Sequence, residues 1–213
     1  MRITVFGATG NVGGRVVAEA LARGHQVTAV LRDPAKPHGL PSAAAIAVGD
    51  ARNPADVARI AAGQDAVVTA TRPVPGSEHE LAAATTGLLA GIAGTGVRLV
   101  AVGGAGSLTV PGSDGTTLVE SPGFPAEIRP IALACNEQLD LYRAADAEVD
   151  WTYLSPAALL EPGARTGRFR LGLDELLVDA DGNSAISMED LAIALLDEVE
   201  RPAHRRARFT AGY

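Results

Sequence analysis

The sequence predicts an α/β fold, a doubly wound and mainly parallel sheet, and three observations carry that prediction. Short apolar runs rich in β-branched residues alternate with stretches of helical spacing from Ile3 to Pro156. The runs are apolar enough to need cover on both faces, as strands of a parallel sheet do. A glycine-rich turn, "VFGATGNVGG" at residues 5–14, stands directly between the first strand and the first helix.

The elements follow in order. "RITVFG" is a strand, and "NVGGRVVAEALARG" a helix with an apolar stripe through Val12, Val16, Val17, Ala20 and Leu21, ended by Gly24. "HQVTAVL" and "AAIAVGD" are the second and third strands. "NPADVARIAAG" starts a helix with Asn53 as cap, Pro54 in the first turn and Asp56 near the free amides. "DAVVTAT" is the fourth strand. Ser77 and Glu80 give a capping-box pattern to the helix "SEHELAAATTGLLAGIAG". "RLVAVGG" is the fifth strand, "IALACNEQLDLYRAAD" a helix, and "DWTYLSP" a sixth strand stopped by Pro156. The rhythm then breaks. "RTGRFRLG" and "ELLVDADGNS" suggest a short hairpin or loop lobe over about 157–186, too small to be a domain. Ser187 and Asp190 restart a helix with a second capping pattern, and "RARFTAGY" closes as a strand. The expectation is one domain over 1–213, of Rossmann type, with 157–186 as a small C-terminal substrate lobe.

Bulk properties narrow the function. A composition 47% hydrophobic and 20% charged is that of a globular protein. The most apolar stretch, 87–106, holds Arg98 and seven glycines, so a helix, a turn and a buried strand explain it better than a membrane span. No signal peptide is expected at the N-terminus, and the single Cys135 rules out an intrachain disulfide. A cytoplasmic location is the simplest expectation. The net charge of -7 and the scarcity of aromatics argue against nucleic acid. The expected partner is a small-molecule substrate, and the chain is a monomer or a homodimer.

The glycine turn points to a dinucleotide. Gly7 allows a sharp exit from the strand, Gly10 lets the backbone approach a pyrophosphate, and Gly13 lets the helix pack closely on the sheet. At the end of the second strand an acid would favour NAD(H), whereas "VLRDPAK" offers Arg32, with Asp33 beside it and Lys36 close behind. NADP(H) is therefore preferred over NAD(H). Asp50 in "VGDARN" is either an acceptor for the adenine amino group or a turn residue capping the next helix. The segments Thr69, Ala70, Thr71, Arg72 and Val102, Gly103, Gly104 end strands whose carboxyl edges face the ligand crevice.

With these residues laid out, the chain resembles the atypical short-chain dehydrogenase/reductases, and most closely the NmrA-like branch that holds NAD(P)H-flavin reductases. The resemblance covers essentially the whole chain. It rests on "FGATGNVGGRVVAEALARGHQVTAVLRDPAK", "VGDARNPADV", "RLVAVGGAGSL", "DWTYLSPAALLEPGARTGRFRLG" and "ISMEDLAIALLDEVERPAH". It implies that Gly7, Thr9, Gly10, Asn11, Val12 and Arg32 hold the cofactor's phosphates. It also implies that Ser155 and Pro156 lie near the nicotinamide, and that Gly103 to Ser107 line its reactive side. The wider superfamily uses a tyrosine and a lysine four apart on the helix after the fifth strand. Here Tyr142 is followed at that spacing by Asp146, and Lys36 is the only lysine of the chain. A platform without that pair suits a conjugated acceptor, flavin or quinone, whose π-system spreads the charge that hydride brings. FMN or FAD would then be a substrate, not a prosthetic group.

Other candidates each have a plainer reading. Ser107 could donate to a developing anion, or bond its own loop. Arg72 could steady an anionic acceptor, or be a rim charge. Phe124, in "SPGFPAEIRP", could cover a planar substrate or close the core. His79 is expected to be solvated. His25, His38 and His204 lack ligand spacing, so no metal is expected. Cys135 reads as a small buried hydrophobe, Tyr142 as packed with its hydroxyl at a helix edge, and "RPAHRRARF" as a solvated basic cluster. The leading expectation is an NADPH-dependent reductase of a small conjugated acceptor. A non-catalytic NADP(H) sensor and a pathway-specific reductase, isomerase or dehydratase are the alternatives. A segment 160–186 lining the pocket would favour the enzyme, and one facing outward the sensor.

Overall fold

The computed structural model describes residues 1–35 and 39–213. Lys36 and His38, both weighed above, lie outside the described residues. The elements are β1 (Arg2–Phe6), α1 (Asn11–Ala22), β2 (Gln26–Leu31), β3 (Ala45–Val48), α2 (Pro54–Ala61), β4 (Ala66–Thr69), α3 (His79–Ile92), β5 (Arg98–Val102), α4 (Arg129–Arg143), β6 (Trp151–Ser155), β7 (Leu159–Glu161), β8 (Arg170–Gly172), β9 (Ala185–Ser187), α5 (Met188–Glu200) and β10 (Ala207–Gly212). Among the described residues eight strands form one sheet, ordered β3-β2-β1-β4-β5-β6-β10-β8. All its pairings are parallel except β8 on β10. The strand order reverses beside β1: Val5 faces Ala29 of β2 on one side and Val68 of β4 on the other. A crevice outside the carboxyl ends of β1 and β4 follows from that reversal.

Alternation along the strands divides the core between the two faces. Ile3 and Val5 pack with Val16, Val17 and Ala20 of α1 and Leu191, Leu195 and Val199 of α5. Phe6, Val67 and Leu99 pack with Val57, Leu88, Ile92 and Leu139 of α2, α3 and α4. Gly91 lets α3 come close to α2, since a Cβ there would lie 2.5 Å from the Cβ of Val57. Tyr142 is not at a helix edge: it is fully buried, its ring 5.7 Å from those of Trp151 and Tyr153.

Two local expectations need correction. The capping box at Ser77 does not form. The helix begins two residues later, Ser77 gives only its carbonyl to the Glu80 N–H at 2.9 Å, and the Glu78 carboxylate accepts from Gly76 N–H instead. The segment after Pro156 is not a self-paired hairpin. Leu171 of β8 pairs with Ala211, and Leu160 of β7 pairs with Ile186 of β9. The edge of β10 offers unpaired backbone groups, and β8 satisfies them. Asn53 and Ser187 cap α2 and α5 as expected, accepting from Ala55 N–H and Asp190 N–H at 3.0 Å each.

Candidate functional site

The turn after β1 is shaped by what surrounds each glycine. Gly7 has φ +76°, and a Cβ there would lie 2.5 Å from the carbonyl oxygen of Ala70. A Cβ on Gly13 would lie 2.0 Å from the Gly7 carbonyl oxygen. These two glycines seat strand, turn and helix against one another. Gly10 differs: its added Cβ would touch only backbone oxygens, the nearer at 3.2 Å, so its smallness leaves space on the outer side. Gly10 is the N-cap of α1, which has no side-chain cap and no acid in its first turn. Helix α2 carries Asn53 and Asp56 at its start, and α5 carries Ser187, Glu189 and Asp190. Helix α1 alone of these three leaves its positive end for an outside anion, the condition a pyrophosphate needs. A hollow of about 330 Å³ opens there, lined by Thr9, Gly10, Asn11, Arg15 and Pro41 among others. A larger one, about 460 Å³, lies at the opposite, amino end of β1 and β2 beside His25 and Gln64, away from the crevice.

At the end of β2, Arg32 is exposed. Asp50 is engaged by Arg52, which binds its carboxylate through Nη2 at 2.6 Å and through its own N–H at 2.9 Å. Those hydrogen bonds hold the Asp50 carboxyl below the ordinary carboxylate range, with a smaller contribution from the Arg32 charge. Asp50 does not cap α2 with its side chain, because Asn53 does; it supplies a carbonyl to Asn53 N–H at 3.0 Å.

Further along the crevice, Ala70 N–H donates to the Phe6 carbonyl at 2.9 Å, and the Thr69 and Thr71 hydroxyls lie 3.1 Å apart. Arg72 is exposed and its charge reaches the Cys135 thiol. Gly103 lies under the Tyr153 ring, where a Cβ would come within 1.9 Å of Cζ. The Tyr153 hydroxyl accepts from Gly104 N–H at 3.2 Å and donates to the Cys135 carbonyl at 2.9 Å. Cys135 stands against Gly104, whose added Cβ would be 2.7 Å from its own. Burial pushes the Cys135 thiol up to about 11, against the pull of Arg72, and lifts both Tyr142 and Tyr153 above the ordinary phenol range. All three stay neutral near pH 7. Ser155 and Pro156 are buried, and Ser155 Oγ has no partner among the described residues.

Ser107 Oγ accepts from Arg208 Nη1 at 2.9 Å, and Arg208 is held in turn by Asp174. Neither partner is apparent in the sequence, which lodged Arg208 in a basic cluster. That cluster is not uniformly solvated, because β10 runs inside the sheet: the Arg208 side chain is 4% exposed, Arg205 pairs with Asp150, and His204 contacts Glu198 at 2.8 Å. Phe124 is half-buried, with the Arg129 guanidinium 5.2 Å from its ring centre. His79 is exposed, at the start of α3. The segment 160–186 divides: 161–168 is exposed, while 174–177 turns inward only at the buried Leu176, the exposed Asp174 reaching the buried Arg208 from outside. Among the described residues no cluster of ligating side chains could hold a metal ion, and no helix is long and apolar enough to cross a membrane.

The family model described as NAD(P)H-binding matches residues 7–202. A Bacillus subtilis protein, YwnB, itself uncharacterised, is 40% identical over 99% of this chain and 97% of its own length. A Streptococcus pneumoniae structure named a "putative NADH-flavin reductase" is 32% identical over 100% of this chain and 99% of that one, with a TM-score of 0.88. A Bacteroides thetaiotaomicron structure named a "putative epimerase" is 40% identical over 100% of this chain and 96% of that one, with a TM-score of 0.89. The matched stretch includes the glycine turn and the bare, acid-free start of α1. The chain belongs to the NAD(P)H-binding family, as an atypical short-chain dehydrogenase/reductase of the NmrA-like type.

Proposed function

We propose that the chain is an NADPH-dependent reductase that passes hydride to a small conjugated acceptor of flavin or quinone type. The observation that carries this reading is the chemistry of the crevice. The start of α1 is acid-free, and Arg32 after β2 and Arg72 after β4 are exposed cations. The Ser107 hydroxyl follows β5, the buried Ser155 hydroxyl ends β6, and the neutral thiol of Cys135 stands on α4. The cofactor, when bound, supplies the hydride. Gly7, Thr9, Gly10, Asn11 and Val12 would hold its pyrophosphate, and Arg32 a 2′-phosphate. Asp50, Ala70, Thr71, Gly103, Gly104, Ser155 and Pro156 would line its length. Arg72 would attract an anionic acceptor, and Phe124 would flank a planar one. Such an acceptor spreads incoming charge over its π-system, so a tyrosine-lysine pair is not needed and solvent can complete protonation. Ser107 would donate to the atom that becomes anionic. We read 1–213 as one working unit with 157–186 as its substrate-side lobe, acting in the reducing cytoplasm that suits a lone cysteine.

The test is steady-state NADPH oxidation with FMN, a simple quinone and an enone offered separately. Saturable turnover with one of them is expected. Protein that binds NADPH and turns over none would instead be a sensor, a second reading favoured by the outward-facing stretch 161–168. For the cofactor, Arg32→Ala should raise the KM for NADPH about 10-fold or more while leaving that for NADH unchanged. Equal effects on the two would refute the 2′-phosphate assignment.

A further inference from the structure

We infer that Arg208, anchored by Asp174, is a positioning residue that turns the Ser107 hydroxyl into a one-way donor aimed at the substrate. The inference rests on the reductase reading above. Arg208 lies on β10, beside Tyr153 in register, with its side chain almost wholly buried. Asp174 Oδ1 accepts from Arg208 Nε at 2.8 Å and also from Nη2, so the planar fork is fixed. The remaining terminal nitrogen, Nη1, donates to Ser107 Oγ at 2.9 Å.

A guanidinium has no acceptor, so Ser107 can only receive in this contact. Its own proton must point elsewhere, and among the described residues no group accepts it. A ligand oxygen or ring nitrogen at the carboxyl end of β5 would. The buried cation behind the hydroxyl also polarises it, which favours negative charge developing on that ligand atom. Burying an arginine here is costly unless it is well paired, and a purely apolar filler would stabilise the sheet at least as well. The scaffold instead spends backbone hydrogen bonds on holding Asp174 in place: Thr109 N–H donates to the Asp174 carbonyl at 2.9 Å, and Leu176 N–H to the Thr109 carbonyl at 2.8 Å. The loops after β5 and β8 are thereby laced together around Arg208.

The experiment is a double-mutant cycle on kcat with whichever probe the wild type reduces, alongside NADPH affinity and Tm. Ser107→Ala and Arg208→Met should each lower kcat about 10- to 100-fold, and the double variant should fall no further than Ser107→Ala alone. NADPH affinity should stay within about twofold, and Arg208→Lys should recover part of the loss. A merely structural arginine would give losses that multiply in the double variant, and that result overturns the proposal. So does a kcat unchanged by either single substitution. Should Arg208→Met fail to fold, Asp174→Asn on the exposed loop replaces it: a several-fold fall in kcat at near-constant Tm is expected, and an unchanged kcat rejects the role. A wild type inactive on all three probes sinks both the reductase reading and this one. Wild-type turnover with independent losses sinks only the role of Arg208.

Discussion

Gly103 shows how narrowly one residue constrains the crevice. Its added Cβ would sit inside the Tyr153 ring, and that ring is fully buried with Tyr142 against it, so it cannot retreat. Gly103→Ala should therefore cost about 2–3 kcal/mol, read as a shift in urea midpoint, and should be relieved when Tyr153 is also shortened to Leu. An additive loss in the pair would show that the collision is not the cause. At this scale legibility depended on distance along the chain. Gly7 and Gly13 are readable because their reasons lie within one turn and its neighbouring strand. The partnership of Ser107 with Arg208 was not, because 101 residues separate them and Arg208 stands among other arginines. Cys135 was legible as small and apolar, but its place against Gly104 needed the α4 packing.

Among elements, the starts of the helices give the clearest contrast. Helix α1 withholds the acids and caps that α2 and α5 carry, so adding one should have opposite effects on its two states. Asn11→Asp should stabilise the apo protein by about 0.5 kcal/mol through the helix dipole, yet weaken NADPH binding about 10-fold by repulsion. A parallel gain in both would contradict the phosphate assignment. The stretch 163–167 is an element only by its anchors. Arg165 holds Glu19 of α1 at 2.8 Å, and Asp190 of α5 accepts from Thr166 N–H at 2.8 Å and Gly167 N–H at 2.9 Å. The Arg165 hydrogen bond, helped by Arg23 against the burial that opposes them, brings the Glu19 carboxyl from 4.5 down to about 2. A depressed carboxyl contributes its stability above the unfolded pKa and loses it as pH falls through the folded one. Glu19→Gln should thus cost about 1–2 kcal/mol at pH 7, with the gap to wild type closing between about pH 5 and pH 2. A gap constant with pH would remove the ion pair as its source. The pattern of strands and helices through Pro156 was legible from periodicity. The pairing of β7 and β8 was not, because three-residue strands have too little pattern and their partners come later in the chain.

For the whole molecule, one sheet with separate cores on its two faces makes cofactor binding a global event. NADPH at about 100 times its Kd should add about 2.7 kcal/mol, or a rise in Tm of about 5–10 °C for a chain of this size. NADH at equal concentration should add less; equal shifts would argue against a role for Arg32. The sheet's completion has a consequence for biosynthesis. Strand β10 is inserted between β6 and β8, so β6 lacks its outer neighbour and β8 its partner in the sheet until Gly212 has left the ribosome. A chain that has made only β1 to β6 lacks α5, whose Leu191, Leu195 and Val199 cover one face of the sheet, and lacks the Arg208 guanidinium that Ser107 meets in the finished fold. One face of the core and the buried guanidinium are thus completed together, by α5 and β10, after the rest of the sheet has been made.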